Sequence, residues 1–278
     1  MHARHYAFGF DHPEDLAFDR SGALWSGGEL GQLYRCDEGE TEPAEIMRLG
    51  GETRGLAFDA AERLVICNHV LRKVFLREPS GHLAELPFEH AGQAIGVPNY
   101  AVFGPDGTLY VSDSGSFPEP SGTIWRWRPE DGASIFHHGP FAYANGLAID
   151  AAGQWLYVIE TTNDSISRVP LAEPDGPVEP FARGLARMPD GMAFDQDGGL
   201  WVATFAGDAI YRVDSGGQVE LTVHDDRGIT LNRPTNVAFG GRGFDELYVA
   251  NLGGTFISVI EAGVVGQPLH GGLRAEPA

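Results

Sequence analysis

Four oxygen-bearing side chains recur at one register of a repeated sequence: Glu14, Asn99, Asn145 and Asp190. Each stands four residues before the central apolar residue of a motif that occurs six times, as in PEDLAFD, NGLAID and PDGMAFD. The other two copies carry Arg54 and Thr235 at that register. Aligned on Phe18, Phe58, Phe103, Ile149, Phe194 and Phe239, successive copies are 40, 45, 46, 45 and 45 residues apart. Two carboxylates and two carboxamides brought into one space form an oxygen-only donor set. Without a cation the carboxylates repel, and one tends to keep its proton. The set suits a hard divalent ion, Ca²⁺ ahead of Mg²⁺ and Mn²⁺, with Zn²⁺ a further option. Four protein ligands leave positions open for water and substrate, as a catalytic metal requires. Two plainer readings compete: ordinary turn residues bonding to nearby backbone, and a metal that only plugs the fold.

The register matters only if the fold makes the copies converge. A period near 45 residues with Gly-rich turns is that of a β-propeller with one four-stranded blade per repeat. In the fourth repeat NGLAID, WLYVIET, SISRVPL and PVEPFARG read as successive strands, and repeats three and five parse in the same order. The last repeat supplies three strands before a Gly/Pro-rich tail, so the segment from His5 to Phe10 is the missing fourth. Joining both termini in one blade closes the ring and removes free sheet edges. The expectation is an all-β chain forming one six-bladed β-propeller domain over residues 1–278. A barrel or sandwich leaves so long and regular a period unexplained. Trp25, Tyr110, Tyr157, Trp201 and Tyr248 recur in the second strand and should pack between blades. Gly22, Gly107, Gly153, Gly198 and Gly240 mark the turn after the first strand, where positive φ is often required.

First strands line the channel of a propeller, so the six register positions should ring one mouth. Second strands run back to the same mouth and bring His69, Asp113 and Asn251 near it. Asp113 and Asn251 are expected to orient the ligands or meet a polar substrate. His69 is either an acid/base or substrate contact or a solvated loop histidine. Arg54 either holds a substrate oxygen or pairs with Glu14, and Tyr100 adjoins Asn99. Phe117, Phe141 and Tyr143 lie on segments that could overhang the mouth.

Composition narrows the partners. Thirty-nine acidic residues against 19 lysines and arginines give a formal net charge of -20, a field that repels nucleic acid and anionic membranes. No run approaches the roughly 18 apolar residues of a membrane span. The N-terminal residues do not read as a signal peptide, and Cys36 and Cys67 make no disulfide framework. A cytoplasmic protein acting on a small molecule, as a monomer or small homo-oligomer, is the resulting expectation.

The motifs HPEDLAFD, VPNYAVFGPDGTLYVSD, YANGLAIDAAGQWLYVIET and MPDGMAFDQDGGLWVA resemble the SMP-30/gluconolactonase/luciferin-regenerating enzyme-like family, relatives of the diisopropylfluorophosphatase and paraoxonase propellers. The likeness runs over almost the whole chain. It implies a calcium-dependent six-bladed propeller in which Glu14, Asn145 and Asp190 bind the metal. Asn99 then either binds the metal or contacts substrate, and Asp190 is also the general base or nucleophile. The implied activity is metal-dependent opening of a lactone. A phosphotriesterase or arylesterase activity is the chemical alternative, and a non-enzymatic binding module with a structural metal the other. Gluconolactonases commonly carry an Asn-Asp pair where this chain has Asn99-Tyr100, and their arginine-bearing blade-two loop has no clear match here.

Overall fold

Repeats one to five each fold into a four-stranded antiparallel sheet whose strands follow in chain order, and the sixth supplies three strands that the N-terminal strand completes, in a computed structural model that describes residues 1–271. Six such sheets form the blades of a β-propeller. The first strands are Leu16–Phe18, Thr53–Phe58, Pro98–Phe103, Ala144–Ile149, Pro189–Phe194 and Pro234–Gly240. Ala3–Phe8 pairs with Phe256–Glu261, with Ala3 opposite Ile260 and Phe8 opposite Phe256. The two ends of the chain thus share blade six, as the strand count predicts. No helix among the described residues is long and apolar enough to cross a membrane.

Burial explains why the inner strands read as continuous apolar runs. Successive side chains of a strand point to opposite faces, yet Leu156, Tyr157, Val158 and Ile159 are all buried. Neighbouring blades cover both faces of that strand. Outermost strands such as Ala44–Arg48 are largely exposed.

The recurrent aromatics join blade to blade. Trp25 meets Phe58 at 5.9 Å, Tyr157 meets Phe194 at 5.1 Å and Trp201 meets Phe239 at 6.3 Å. Tyr248 of blade six meets Phe18 of blade one at 4.9 Å, which completes the circle. All four pairs are near edge-to-face, the arrangement the ring quadrupoles favour. Tyr110 packs in one cluster with Ile149 of the next blade.

Gly22, Gly107, Gly153 and Gly198 have positive φ as expected, but in blade six that role falls to Gly241. Gly240 is needed for another reason: a Cβ there would collide with the Phe18 ring. A short hairpin, Glu89–His90 with Gln93–Ala94, is inserted between blades two and three and was not foreseen.

The channel is apolar over most of its length, lined by Phe18, Phe58, Phe103, Ile149, Phe194 and Phe239. Its far end is crossed by the chain after blade six. There Gln267 Nε2 donates to the Ile149 carbonyl at 2.9 Å and the His270 ring N–H to that of Asp150 at 2.8 Å. The other mouth is where the polar residues gather.

Candidate functional site

The register position coincides with a break in each ladder. In blades two to six the pairing of first and second strands shifts register around it, between Thr53 and Leu56, Pro98 and Ala101, Ala144 and Leu147, Pro189 and Met192, and Pro234 and Asn236. Such bulges re-aim a side chain and are common beside functional sites. The residue that follows is often glycine, because the next blade comes very close. A Cβ on Gly55 would lie 2.5 Å from the Asn99 carbonyl oxygen, and one on Gly146 2.5 Å from that of Asp190.

Where the following residue is not glycine it builds a polar floor. Asp15 accepts from the backbone N–H of Leu16 at 2.6 Å and of Leu56 at 2.5 Å, and from Asn236 Nδ2. The Tyr100 hydroxyl donates across the channel to Asn236 Oδ1 at 3.1 Å. Burial pushes the Asp15 carboxyl up to about 7 against these donors. It also holds the Tyr100 hydroxyl well above its ordinary value, with the Asp15 charge adding to the effect.

Above this floor sit the four oxygen-bearing residues. Glu14 is buried, with Oε1 3.6 Å from Arg54 Nε, and Oε2 has no partner among the described residues. Asn145 Nδ2 donates to Thr161 Oγ1 at 3.1 Å, and its buried Oδ1 likewise has no partner. Asn99 Nδ2 donates to Ser114 Oγ at 2.9 Å. Each hydroxyl in turn donates to a carbonyl of the next blade, Ser114 to Ala144 at 2.7 Å and Thr161 to Pro189 at 2.8 Å. These links fix the amide orientation, spending the nitrogens on neighbours and leaving the oxygens as the free ends.

The carboxyl of Asp190 is raised well above its ordinary value, first by burial and then by the charge of Glu14, while Arg54 and a hydrogen bond from Asn145 oppose the rise. Glu14 is raised to about 7, by burial more than Arg54 can offset. Glu14, Asn145, Asp190 and Arg54 therefore share one electrostatic environment.

Contrast Asp195, the other acid of PDGMAFD. It accepts N–H bonds from Asp197, Gly199, the Trp201 ring and Arg212 at 3.0, 2.8, 2.9 and 2.8 Å. Asp195 is a saturated turn anchor. Glu14 is a buried acid with an unpartnered oxygen and Asp190 a half-buried acid with fewer donors than Asp195, which is costly unless something positive joins them.

Arg54 is largely committed. It faces Glu52 through two N–H groups, at 3.1 and 3.4 Å, as well as Glu14, and Tyr143 lies against its guanidinium. Burial disfavours its charge, but Glu14 and Glu52 outweigh this and hold it above its ordinary value. His69 is half-buried, its backbone N–H bonded to the Glu52 carbonyl at 3.1 Å and its Nδ1 without a partner. Burial, then Arg54, push its pKa down.

Asp113 and Asn251 are turned to loop backbone. Asp113 accepts from Gly96 at 2.7 Å and Val97 at 2.8 Å, which fixes the segment leading to Asn99. Asn251 accepts from the Asn232 N–H at 2.9 Å and donates to Ser258.

A second cluster, Asp11, His12 and Glu29, lies on the blade-one side, with His12 Nδ1 2.8 Å from Asp11 and 3.4 Å from Glu29. It is partly exposed, and the other Asp11 oxygen already accepts from Gln32 Nε2 at 2.6 Å. Its imidazole nitrogen suits a softer ion than Ca²⁺. The four-oxygen ring fits a hard divalent cation better: it has two orphaned buried acceptors, two acids raised by burial, and two amides whose nitrogens are spent on neighbouring hydroxyls.

The family model described as "SMP-30/Gluconolactonase/LRE-like region" matches residues 23–252. The chain belongs to this family. It is 33% identical over 146 residues to a 6-deoxy-6-sulfogluconolactonase of Pseudomonas putida, a match covering 47% of this chain and 49% of that one. The chain thus spans about half the length of the curated relatives it matches. The fold is shared with a gluconolactonase of Xanthomonas campestris, with a TM-score of 0.79, 20% identity and coverage of 95% and 89%. It is shared equally with a calcium-binding protein, regucalcin, of Agrobacterium tumefaciens, with a TM-score of 0.77, 20% identity and 97% coverage of both chains.

Sequence reasoning passed over Asp15, Asn236, Glu52 and Ser114. The column following the register position reads Asp15, Gly55, Tyr100, Gly146, Gly191 and Asn236. Three glycines and three polar residues sharing one column were a readable sign of a crowded polar floor.

Proposed function

We propose that this protein is a divalent-cation-dependent hydrolase that opens lactones, with Glu14, Asn99, Asn145 and Asp190 holding the cation. The supporting observation is the pair of buried acceptors without partners, Glu14 Oε2 and Asn145 Oδ1, beside the raised carboxyl of Asp190. Oxygen-only donors favour Ca²⁺. When bound, the cation supplies the positive charge that polarises a carbonyl and steadies a developing oxyanion.

The chain's own residues do the rest. Asp190, ionised once a positive charge faces it, takes the proton from the attacking water or attacks the carbonyl itself. Ser114 and Thr161 keep the Asn99 and Asn145 amides from rotating. Arg54 balances part of the charge of Glu14, and the Asp15–Asn236–Tyr100 floor bars deeper entry into the channel. A relative named as a sulfogluconolactonase supports lactones as the substrate class.

The test is a hydrolysis screen over alkyl lactones, sugar lactones, aryl esters and an organophosphate, with and without chelator. Lactone turnover that chelator abolishes is expected. Equal turnover in both arms removes the cation from the reaction, and organophosphate turnover alone replaces lactones as the substrate class.

A further inference from the structure

The mouth that carries Glu14 and Asp190 is polar at its floor and apolar along its rim. Among the described residues, large apolar side chains left exposed include Leu30, Val70, Leu71, Phe117 and Ile229. All five stand on loops at this mouth, between second and third strands or on the approach to a first strand. Others lie elsewhere, Met1, Ile46, Val178, Leu221 and Leu269 among them, and singly scattered apolar residues need no explanation.

One of the five connects to the site. Phe117 is 60% exposed, and its ring meets Tyr143 edge to face at 5.6 Å. Tyr143 is held with φ of +60°, a left-handed backbone that a non-glycine residue seldom adopts. His12, Met188 and Arg233 share this conformation at the same place, two residues before the register position of their blades, so the turn belongs to the repeat. Tyr143 also lies against the Arg54 guanidinium, which reaches Glu14 at 3.6 Å. An aromatic wall therefore runs from the rim to the cation-holding residues.

Most of the polar side chains beside it are committed, the half-buried His69 with its unpartnered Nδ1 being the exception. Arg54 is engaged by Glu52 and Glu14, and Asp113 and Asn251 by loop backbone.

We propose that the site takes lactones or esters bearing an alkyl or aryl substituent, which packs on Phe117 and Tyr143, in preference to polyhydroxylated sugar lactones. This inference rests on the hydrolytic reading above. The test measures kcat/KM along γ-lactones of one ring size with lengthening alkyl chains, beside a sugar lactone, in the wild type and Phe117→Ala. In parallel, binding of the matching alkyl lactams is followed by calorimetry, which needs no turnover. Each added methylene should raise kcat/KM and lactam affinity about two- to fourfold until the chain clears the ring. Phe117→Ala should lower the long-chain values about three- to tenfold and the short-chain values less, while Phe117→Tyr keeps the preference.

Turnover with a flat chain-length profile, or with the sugar lactone preferred and Phe117→Ala silent, overturns this inference and leaves hydrolysis standing. Chain-length-dependent lactam binding with no lactone turned over supports the wall and overturns the hydrolytic reading. Neither turnover nor graded binding overturns both.

Discussion

Raising the pH should destabilise the cation-free protein, and a divalent cation should reverse the effect. Glu14 is raised from 4.5 to about 7 because burial outweighs the pull of Arg54. A carboxyl raised on folding gives stability that is fully present below its unfolded pKa and lost as pH climbs through the folded value. A shift from 4.5 to about 7 corresponds to about 3 kcal/mol lost by pH 8. For a chain of this size that is roughly 6–12 °C in Tm. Asp190, raised by burial and Glu14, adds to the loss with the same sign. The loss falls between about pH 4.5 and 7, where His69, held below its ordinary 6.5, works in the opposite direction, so the test reads that window as the difference between the wild type and Glu14→Gln. Calorimetric melts in chelator should show Tm falling over that window, while melts in excess calcium stay level and Glu14→Gln flattens the chelated curve. A chelated curve that is level or rising, with Glu14→Gln superimposed on the wild type, would refute the reasoning.

Other outcomes separate the site from the scaffold. Asp190→Asn should lower kcat/KM for lactone about 10²–10⁴-fold, raise the metal-free Tm and retain part of the calcium affinity, read by kinetics, melting and titration. Asp195→Asn should do the reverse, costing about 2–4 kcal/mol in denaturant titrations while calcium affinity holds, because Asp195 is an anchor with four donors. Gly191→Ala places a Cβ against Asn236 Oδ1 and should lower both Tm and calcium affinity. Ser114→Ala and Thr161→Ala free the amides of Asn99 and Asn145 and should each weaken calcium binding by about tenfold or more.

Most of the fold was legible because it repeats. Six copies fixed the blade count, and the missing strand of the last repeat pointed to the chain start, expected from His5 to Phe10 and found at Ala3–Phe8. The recurrent aromatics found their inter-blade partners for the same reason. Glu14, Asn99, Asn145 and Asp190 stood out as departures within a regular pattern. What the repeat does not contain stayed hidden. The hairpin at 89–94 is an insertion, and the Phe117–Tyr143 contact joins two loops of unrelated sequence. Asp113 and Asn251 sit at the expected ends of second strands, but which way their side chains turn depends on unpaired loop N–H groups that no periodicity reveals. Asp190 and Asp195 are alike in sequence, and only the count of donors around each tells them apart.

The most direct measurement is a calorimetric titration of calcium into chelator-stripped protein, comparing the wild type with Asn145→Leu and with His12→Ala. Asn145→Leu removes a neutral oxygen of the proposed site without changing charge. A cation held by the four-oxygen ring predicts one site per chain, weakened at least about tenfold by Asn145→Leu and little affected by His12→Ala. No binding in the wild type, or binding lost in His12→Ala and kept in Asn145→Leu, would contradict it.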